Sequence, residues 1–365
     1  MKKIGIICEY NPLHNGHLYH FNKIKEKYPD SLVICILSSE FTERGELTVF
    51  NKFIRTKEAL DLGIDLVLSN PIYYSMNNAS SFAYSNVYYL NLCNVDTIIC
   101  GQESDDPLLF KNMYKLEETK AFKNQINKYL NDGLSFKNSY LKAFEDFKIK
   151  FKSNDLLAFF YYKAIMKINK NIRLETIKRI NNNYKDLTLN ETKIQSATAL
   201  RIQKDIKNYV PLYVYKDFKE YGFRDVNKLS NLIIYSFLNN NHNRENAEGL
   251  LNKADDLNSK MLYKDILNIF KSKRYSDSKI NRFIISNLLN IKDNFEINSN
   301  YIRVIGFNKK GQTLLADIKK DITIYTSIKN GINKEFDLEL KADKILDIIY
   351  NEHLLIQDIK GPIIK

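Results

Sequence analysis

Four short apolar runs near the start of the chain, Lys3 to Cys8, Leu32 to Leu37, Asp65 to Leu68 and Val95 to Cys100, alternate with amphipathic stretches, of which Leu18 to Tyr28 and Val49 to Leu62 are the clearest. Runs this short, apolar at successive positions, fit strands buried on both faces, and strands that alternate with helices assemble into a parallel sheet. Gly63 stands where the second helix needs a terminating residue. The pattern predicts an α/β fold with a doubly wound, mainly parallel sheet. Such sheets bind ligands beyond the carboxyl ends of their strands.

The rest of the chain extends this unit. Residues from Pro107 to Lys152 read as helices, and Ser153 as the N-cap of a helix whose Leu156, Leu157, Phe160, Ala164 and Ile165 form one apolar stripe. A β-like run from Ile172 to Ile180 and a capped helix from Ser196 complete a first domain, residues 1–204. Residues 205–365 read as a mainly helical C-terminal domain, with helices to Ile291, strand-like Tyr301 to Phe307 and Asp321 to Ile328, and a last helix near Asp343 to Leu355. No repeat or low-complexity linker interrupts them.

With 365 residues, 44% of them hydrophobic, the chain is long enough for two or three packed units. No run reaches the ~20 apolar residues of a membrane-spanning helix, and the first residues lack a secretory pattern, so a soluble cytoplasmic protein is expected. Cys8, Cys35, Cys93 and Cys100 show no paired CxxC spacing and read as small buried hydrophobes, with neither a zinc knuckle nor a disulfide framework. The net charge of +12 fits a polyanionic partner. A genome biased toward Lys, Asn and Ile codons fits it equally.

The stretch CEYNPLHNGHLYH, residues 8–20, holds three of the five histidines. Asn11-Pro12 stops the first strand, because proline lacks an amide donor and restrains the residue before it. A helix starting near Gly16 places His14 in the turn and His17 in the first helical turn, close to free amides and a partial positive charge that favour phosphate. Gly16, without a Cβ, lets a base or phosphate approach the backbone. Two imidazoles there can donate hydrogen bonds to phosphate oxygens as charge develops. Two other readings stay open: a metal site of His14, His17 and His20, and histidines with no special role. The segment begins in a turn and no Glu follows a histidine as in a zinc-protease helix, which favours the phosphate reading. His20 alone reads as a supporting or surface residue.

The H-N-G-H of residues 14–17 resembles the HxGH signature of the nucleotidyltransferase superfamily, which includes class I aminoacyl-tRNA synthetases and pantothenate synthetase. EYNPLHNGHLYH (9–20), ERGELTVFNKFIRTKEAL (43–60), GIDLVLSNP (63–71), GQES (101–104), SNDLLAFFY (153–161), KRINNNY (178–184) and SATALR (196–201) resemble, in order and spacing, the tRNA(Met) cytidine acetate ligase family. Weaker similarity continues through KRYSDSKINRFI (273–284) and YIRVIGFNKKG (301–311).

The resemblance implies a Rossmann-like nucleotidyltransferase domain, with ATP as co-substrate, acetate, and elongator tRNA(Met) as partner. Acetate would be activated as acetyl-adenylate and the acetyl group passed to the wobble cytidine, giving N4-acetylcytidine. It implies catalytic roles for His14 and His17. It implies an ATP site of Ile7, Cys8, Glu9, Tyr10, Asn11, Pro12, Leu13, His14, Asn15, Gly16, His17, Leu18, Tyr19, His20, Gly101, Asn154 and Arg179. Arg44, Lys52 and Arg55 match its basic pattern, and Ser196, Thr198 and Arg201 match an S-x-T-x-x-R element; all six are candidate phosphate or tRNA contacts. Lys273, Arg274, Lys279 and Arg282, interleaved with Tyr275 and Phe283, are candidate tRNA contacts. A divalent metal such as Mg2+ is compatible with this chemistry, and no residue is assigned to hold one. The chain departs from the family pattern at Ser39, Glu43, Leu47, Ser69, Asn70 and Gln102, which bears on the acetate pocket and the loop near residues 39–47. A small-molecule adenylyltransferase and a non-catalytic RNA-binding protein are the alternatives. A class I synthetase would add a KMSKS-type loop, and none is evident.

Overall fold

The computed structural model describes residues 1–104, 106, 108–179, 194–239, 245, 249–272, 274–292, 297, 300–329 and 331–365. Pro107, Ile180, Lys273 and most of the KRINNNY stretch, singled out above, lie outside them.

The first half contains β1 (Lys3–Cys8), α1 (Asn15–Lys27), β2 (Leu32–Ser38), α2 (Lys52–Leu62), β3 (Leu66–Asn70), α3 (Ile72–Ser75), α4 (Ala79–Leu92) and β4 (Thr97–Gln102). Three helices follow, α5 (Leu109–Glu117), α6 (Lys120–Asn131) and α7 (Phe136–Asp146), then α8 (Ser153–Ile168), β5 (Arg173–Lys178) and α9 (Ala197–Arg201). The second half contains α10 (Leu212–Tyr221), α11 (Ser230–Asn239), α12 (Tyr263–Phe270), α13 (Asp277–Leu289), β6 (Tyr301–Phe307), α14 (Lys309–Ile318), β7 (Thr323–Tyr325), α15 (Lys334–Tyr350), α16 (Leu354–Lys360) and β8 (Ile363–Ile364).

β3, β2, β1, β4 and β5 lie side by side, all parallel, so the chain winds outward from β1 in both directions. This is the doubly wound order, and its switch point lies between β1 and β4. β2 shows why its run is continuously apolar: Val33, Cys35 and Leu37 pack into the core on one face, and Leu32, Ile34 and Ile36 into the core on the other. α2 starts at Asn51, whose Oδ1 accepts from the amides of Phe53 and Ile54 at 3.0 and 2.9 Å, and ends as expected at Gly63, with φ +108°.

The C-terminal half is mainly helical, as expected, and its strands join the same sheet. β6 pairs antiparallel with β3, and β7 and β8 pair parallel with β6, so the sheet begun at Lys3 is continued by residues beyond 300. The long helix expected near Asp343 to Leu355 is two helices, broken where Asn351 and His353 adopt φ of +54° and +58°.

A buried ionic cluster ties these parts together. Lys52 Nζ lies 2.7 Å from Asp343 Oδ2, 2.8 Å from Asp358 Oδ2 and 3.7 Å from Glu339 Oε2, and Arg303 donates to Asp358 Oδ1 at 2.8 Å. Burial alone would discharge the lysine; Asp343, Asp358 and Glu339 outweigh it and hold its pKa above the ordinary value. The phosphate or tRNA contact expected of Lys52 is therefore corrected: the ammonium is 2% exposed and paired inside the protein.

Candidate active site

A cleft of about 260 Å³ opens at the switch point, beyond the carboxyl ends of β1 and β4. Its floor is the corner after β1, its sides are α8 and the ends of β4 and β5, and its lip is formed by residues 43–46 and the start of α9.

The corner is held by two histidines. His14 is the N-cap of α1: its Nδ1 accepts from the Gly16 amide at 3.0 Å, and its own amide donates to His17 Nδ1 at 3.2 Å. A neutral imidazole that accepts at Nδ1 carries its proton at Nε2, so both rings are fixed in the tautomer that donates from Nε2. The rings stack at 3.8 Å with 26° between planes, and Tyr10 meets His17 edge-on at 4.9 Å. Burial, and then the Arg179 guanidinium, pushes His14 down to about 3. Burial, followed by His14, Arg179 and His20, holds His17 well below its ordinary value, and burial with Arg179 takes His20 to about 4. All three are neutral at pH 7.

The free helix amides expected at this corner are instead taken. Asn15 N donates to Tyr209 O at 2.9 Å, Gly16 N to His14 Nδ1, and His17 N to His14 O at 2.8 Å. The donors left at this corner are thus on side chains, among them the imidazole Nε2–H groups and the Asn11 amide nitrogen.

Gly101 faces Arg179 across the β4–β5 pair, and a Cβ there would come within 3.2 Å of Arg179 Cγ. The absent side chain makes room for the guanidinium over the sheet edge. Asn154 lines the cleft with Nδ2 donating to Glu103 Oε1 at 2.9 Å. The N-cap of α8 is Lys152, one residue before the expected Ser153, because Asp155 accepts from the Lys152 amide at 3.0 Å. The same fully buried carboxylate accepts from the amides of Glu103 and Ser104 at 2.8 and 3.2 Å, fastening the end of β4 to the start of α8.

The lip is tethered from three sides. Glu9 Oε1 accepts from the Glu43 amide at 2.7 Å, while burial pushes the Glu9 carboxyl up to about 7. Arg201 donates to Asn11 O and Glu46 Oε2, both at 3.1 Å, and to Thr198 Oγ1 at 3.3 Å; Ser196 Oγ caps α9 by accepting from Ala199 N at 3.1 Å. Gly45, with φ +75°, brings the lip against α13, where a Cβ would lie 2.5 Å from the Arg282 amide nitrogen.

The cleft gathers Ile7, Cys8, Glu9, Tyr10, Asn11, His14, Gly16, His17, Tyr19, His20, Gly101, Asn154 and Arg179 of the implied ATP site, and Arg44, Ser196 and Arg201 of the implied contacts. Pro12, Leu13, Asn15 and Leu18 do not line it: Leu13 and Leu18 pack into the core beneath, Asn15 Nδ2 donates to Asn208 O, and Pro12 is buried after a cis peptide bond. Arg55 is also corrected. It is fully buried and donates to the carbonyls of Glu9, Ser38, Ser39 and Phe50, so it braces the corner from behind. Arg282 is turned inward onto Glu245 at 3.1 Å and the Glu43 carboxylate at 3.8 Å. Arg274 and Lys279 lie over the Tyr275 ring at 5.6 and 4.9 Å.

Sequence reading missed Glu46, Leu157, Tyr161 and Lys178, which also line the cleft, and named Glu43, another lining residue, only as a departure from the family pattern. The charge alternation of ERGE at 43–46 was the available signal for Glu46. Among the described residues, no group of three or more His, Cys, Asp or Glu side chains is placed to hold a metal ion.

Sheet order, switch-point cleft and histidine-capped helix together define a nucleotidyltransferase, and the model of the HIGH Nucleotidyl Transferase family matches residues 1–359. The chain is 34% identical to a tRNA(Met) cytidine acetate ligase of Clostridium perfringens over 380 residues, covering 95% of this chain and 92% of that one. It is 36% identical to one of Thermosipho africanus over 370 residues, covering 92% and 87%. The chain belongs to the tRNA(Met) cytidine acetate ligase family. Its structure matches the apo crystal structure of Thermotoga maritima TmcAL with a TM-score of 0.88 at 26% identity, covering 100% of this chain and 99% of that one. The form of that protein bound with alpha-thio ATP matches at 0.85 over the same shares.

Proposed function

We propose that the chain uses ATP to activate acetate as acetyl-adenylate and transfers the acetyl group to the N4 amine of the wobble cytidine of elongator tRNA(Met). The observation that carries this reading is the pair of neutral, Nε2-protonated imidazoles, His14 buried and His17 half-buried, at the switch point of a chain similar over more than nine-tenths of its length to tRNA(Met) cytidine acetate ligases.

ATP lies across the sheet edge with its phosphates at the corner after β1. An acetate oxygen attacks the α-phosphorus in line, the bond to the bridging oxygen breaks, and diphosphate leaves. His14 and His17 donate from Nε2 to oxygens that gain charge, and Arg179 adds a fixed cation. Because both imidazoles are neutral, they donate hydrogen bonds without the cost of holding two imidazolium ions 3.8 Å apart. The cytidine amine then attacks the acetyl carbonyl, the proton leaves the nitrogen, and AMP departs. An unpaired anticodon base enters the cleft at least cost. Asn154, Gly101 and the remaining residues of the corner hold the nucleoside. A divalent cation would then be carried by the phosphates of ATP. A tRNA substrate supports a cytoplasmic location for the reaction. Among the described residues, no helix is long and apolar enough to cross a membrane.

The test is to incubate the protein with ATP, labelled acetate and unmodified elongator tRNA(Met), omitting each in turn, and to analyse the nucleosides. Label in N4-acetylcytidine only in the complete mixture is expected. Its absence there rejects the reading.

A further inference from the structure

We infer that Lys148, Lys150 and Lys152, in the segment that leads into the α8 wall of the cleft, form a comb that holds backbone phosphates of the tRNA strand carrying the target cytidine, an assignment that rests on the proposed function. The sequence here is K-I-K-F-K. Ile149 and Phe151 pack into the core formed by α5 to α8, with Phe151 5.3 Å from the Phe144 ring, while all three lysines are exposed. Lys148 sits in the turn that ends α7, with φ +60°, and beyond it the inward Ile149 and Phe151 alternate with Lys150 and Lys152, so that all three cations face solvent.

Position distinguishes this segment from other basic stretches. It leads directly into α8, whose Asn154 lines the cleft, and Asp155 binds the Lys152 amide together with the amides of Glu103 and Ser104 at the end of β4. From Lys148 to Lys152 the backbone can span at most about 14 Å. That places three cations within a few nucleotides of a base inserted into the cleft.

Charge availability points the same way. Among the described residues, no carboxylate lies within ion-pair distance of Lys148, Lys150 or Lys152, whereas Lys27, Lys57 and Lys163 are paired with Glu175, Asp217 and Glu117. On α13, by contrast, Arg282 is engaged by Glu43 and Glu245, and Lys279 lies over Tyr275. Cations already facing carboxylates release fewer counterions on binding nucleic acid than cations facing water.

The test uses the full-length chain with K148Q, K150Q and K152Q combined, beside a second variant with R274Q and K279Q. The probe is unmodified elongator tRNA(Met), with affinity measured between 50 and 200 mM salt and acetyl-adenylate formation measured without tRNA. The triple variant is expected to bind tRNA at least tenfold more weakly, with a salt slope shallower by about 2, and to form acetyl-adenylate within twofold of wild type. The R274Q/K279Q variant, altered at and just before α13, is expected to bind tRNA within twofold. Unchanged affinity and slope in the triple variant overturn the assignment, as does a larger loss in the R274Q/K279Q variant. Loss of acetyl-adenylate formation together with tRNA binding also overturns it, because the comb would then shape the cleft. If the wild-type chain neither binds tRNA nor acetylates cytidine, it is the proposed function that fails.

Discussion

His14 and His17 cap the same helix reciprocally: Gly16 N donates to His14 Nδ1 at 3.0 Å, and His14 N donates to His17 Nδ1 at 3.2 Å. The arrangement gives each ring two tasks, one at Nδ1 for the fold and one at Nε2 for the ligand, and substitutions can separate them.

His14→Asn keeps a good N-cap and removes the Nε2 donor, whereas His14→Ala removes both. Both variants should lose about 100-fold in acetate-dependent exchange of diphosphate into ATP. Only the alanine variant should also lose about 1 kcal/mol of stability in urea. Equal stability losses, or an asparagine variant with full exchange, would contradict the two-task account.

Lys52→Met leaves Asp343, Asp358 and Glu339 buried without the cation they surround. The expected cost is about 3–5 kcal/mol in urea unfolding. A loss below about 1 kcal/mol would mean that the cluster rearranges or takes up protons at little expense.

His20 is held at about 4 by burial first and by Arg179 second, against about 6.5 in an unfolded chain. The unfolded state therefore takes up a proton first as pH falls, so this contribution to stability is intact above pH 6.5 and is lost between about 6.5 and 4. In the absence of nucleotide, His20→Asn should flatten the pH dependence of unfolding near pH 5 by up to about 1.4 kcal/mol per pH unit. A slope equal to that of wild type would show that His20 is already charged or solvated in the folded chain.

Glu9 has the opposite sign. Burial raises its carboxyl to about 7, so the contribution of the neutral form is full below about pH 4.5 and is lost as pH rises through 7. Glu9→Gln retains an acceptor for the Glu43 amide and should gain stability relative to wild type across that interval. A difference independent of pH would contradict the raised value.

What the sequence made legible follows from range. β1 and β6 are found at their expected bounds, and Gly63 and Ser196 cap their helices as expected, because those signals are local runs and single cap residues. The histidine corner was legible because three rare residues fall within seven positions. Lys52 and Arg55 were not legible: on the sequence they are two cations in a helix, and the carboxylates around Lys52 lie about 300 residues away. The pairing of β6 with β3 was hidden for the same reason, since its partner lies more than 200 residues upstream. Arg282 looked like one tooth of a basic helix face, and only its approach to Glu43 and Glu245 shows that it faces inward.

The central claim is that acetate attacks the α-phosphorus of ATP at the histidine corner and that the cytidine amine then attacks the resulting anhydride at its carbonyl. Acetate labelled with ¹⁸O in both oxygens tests it in one turnover with tRNA. The account predicts one ¹⁸O in the AMP released, none in diphosphate, and one retained in the acetyl group on cytidine. AMP free of label, or label in diphosphate, would contradict it.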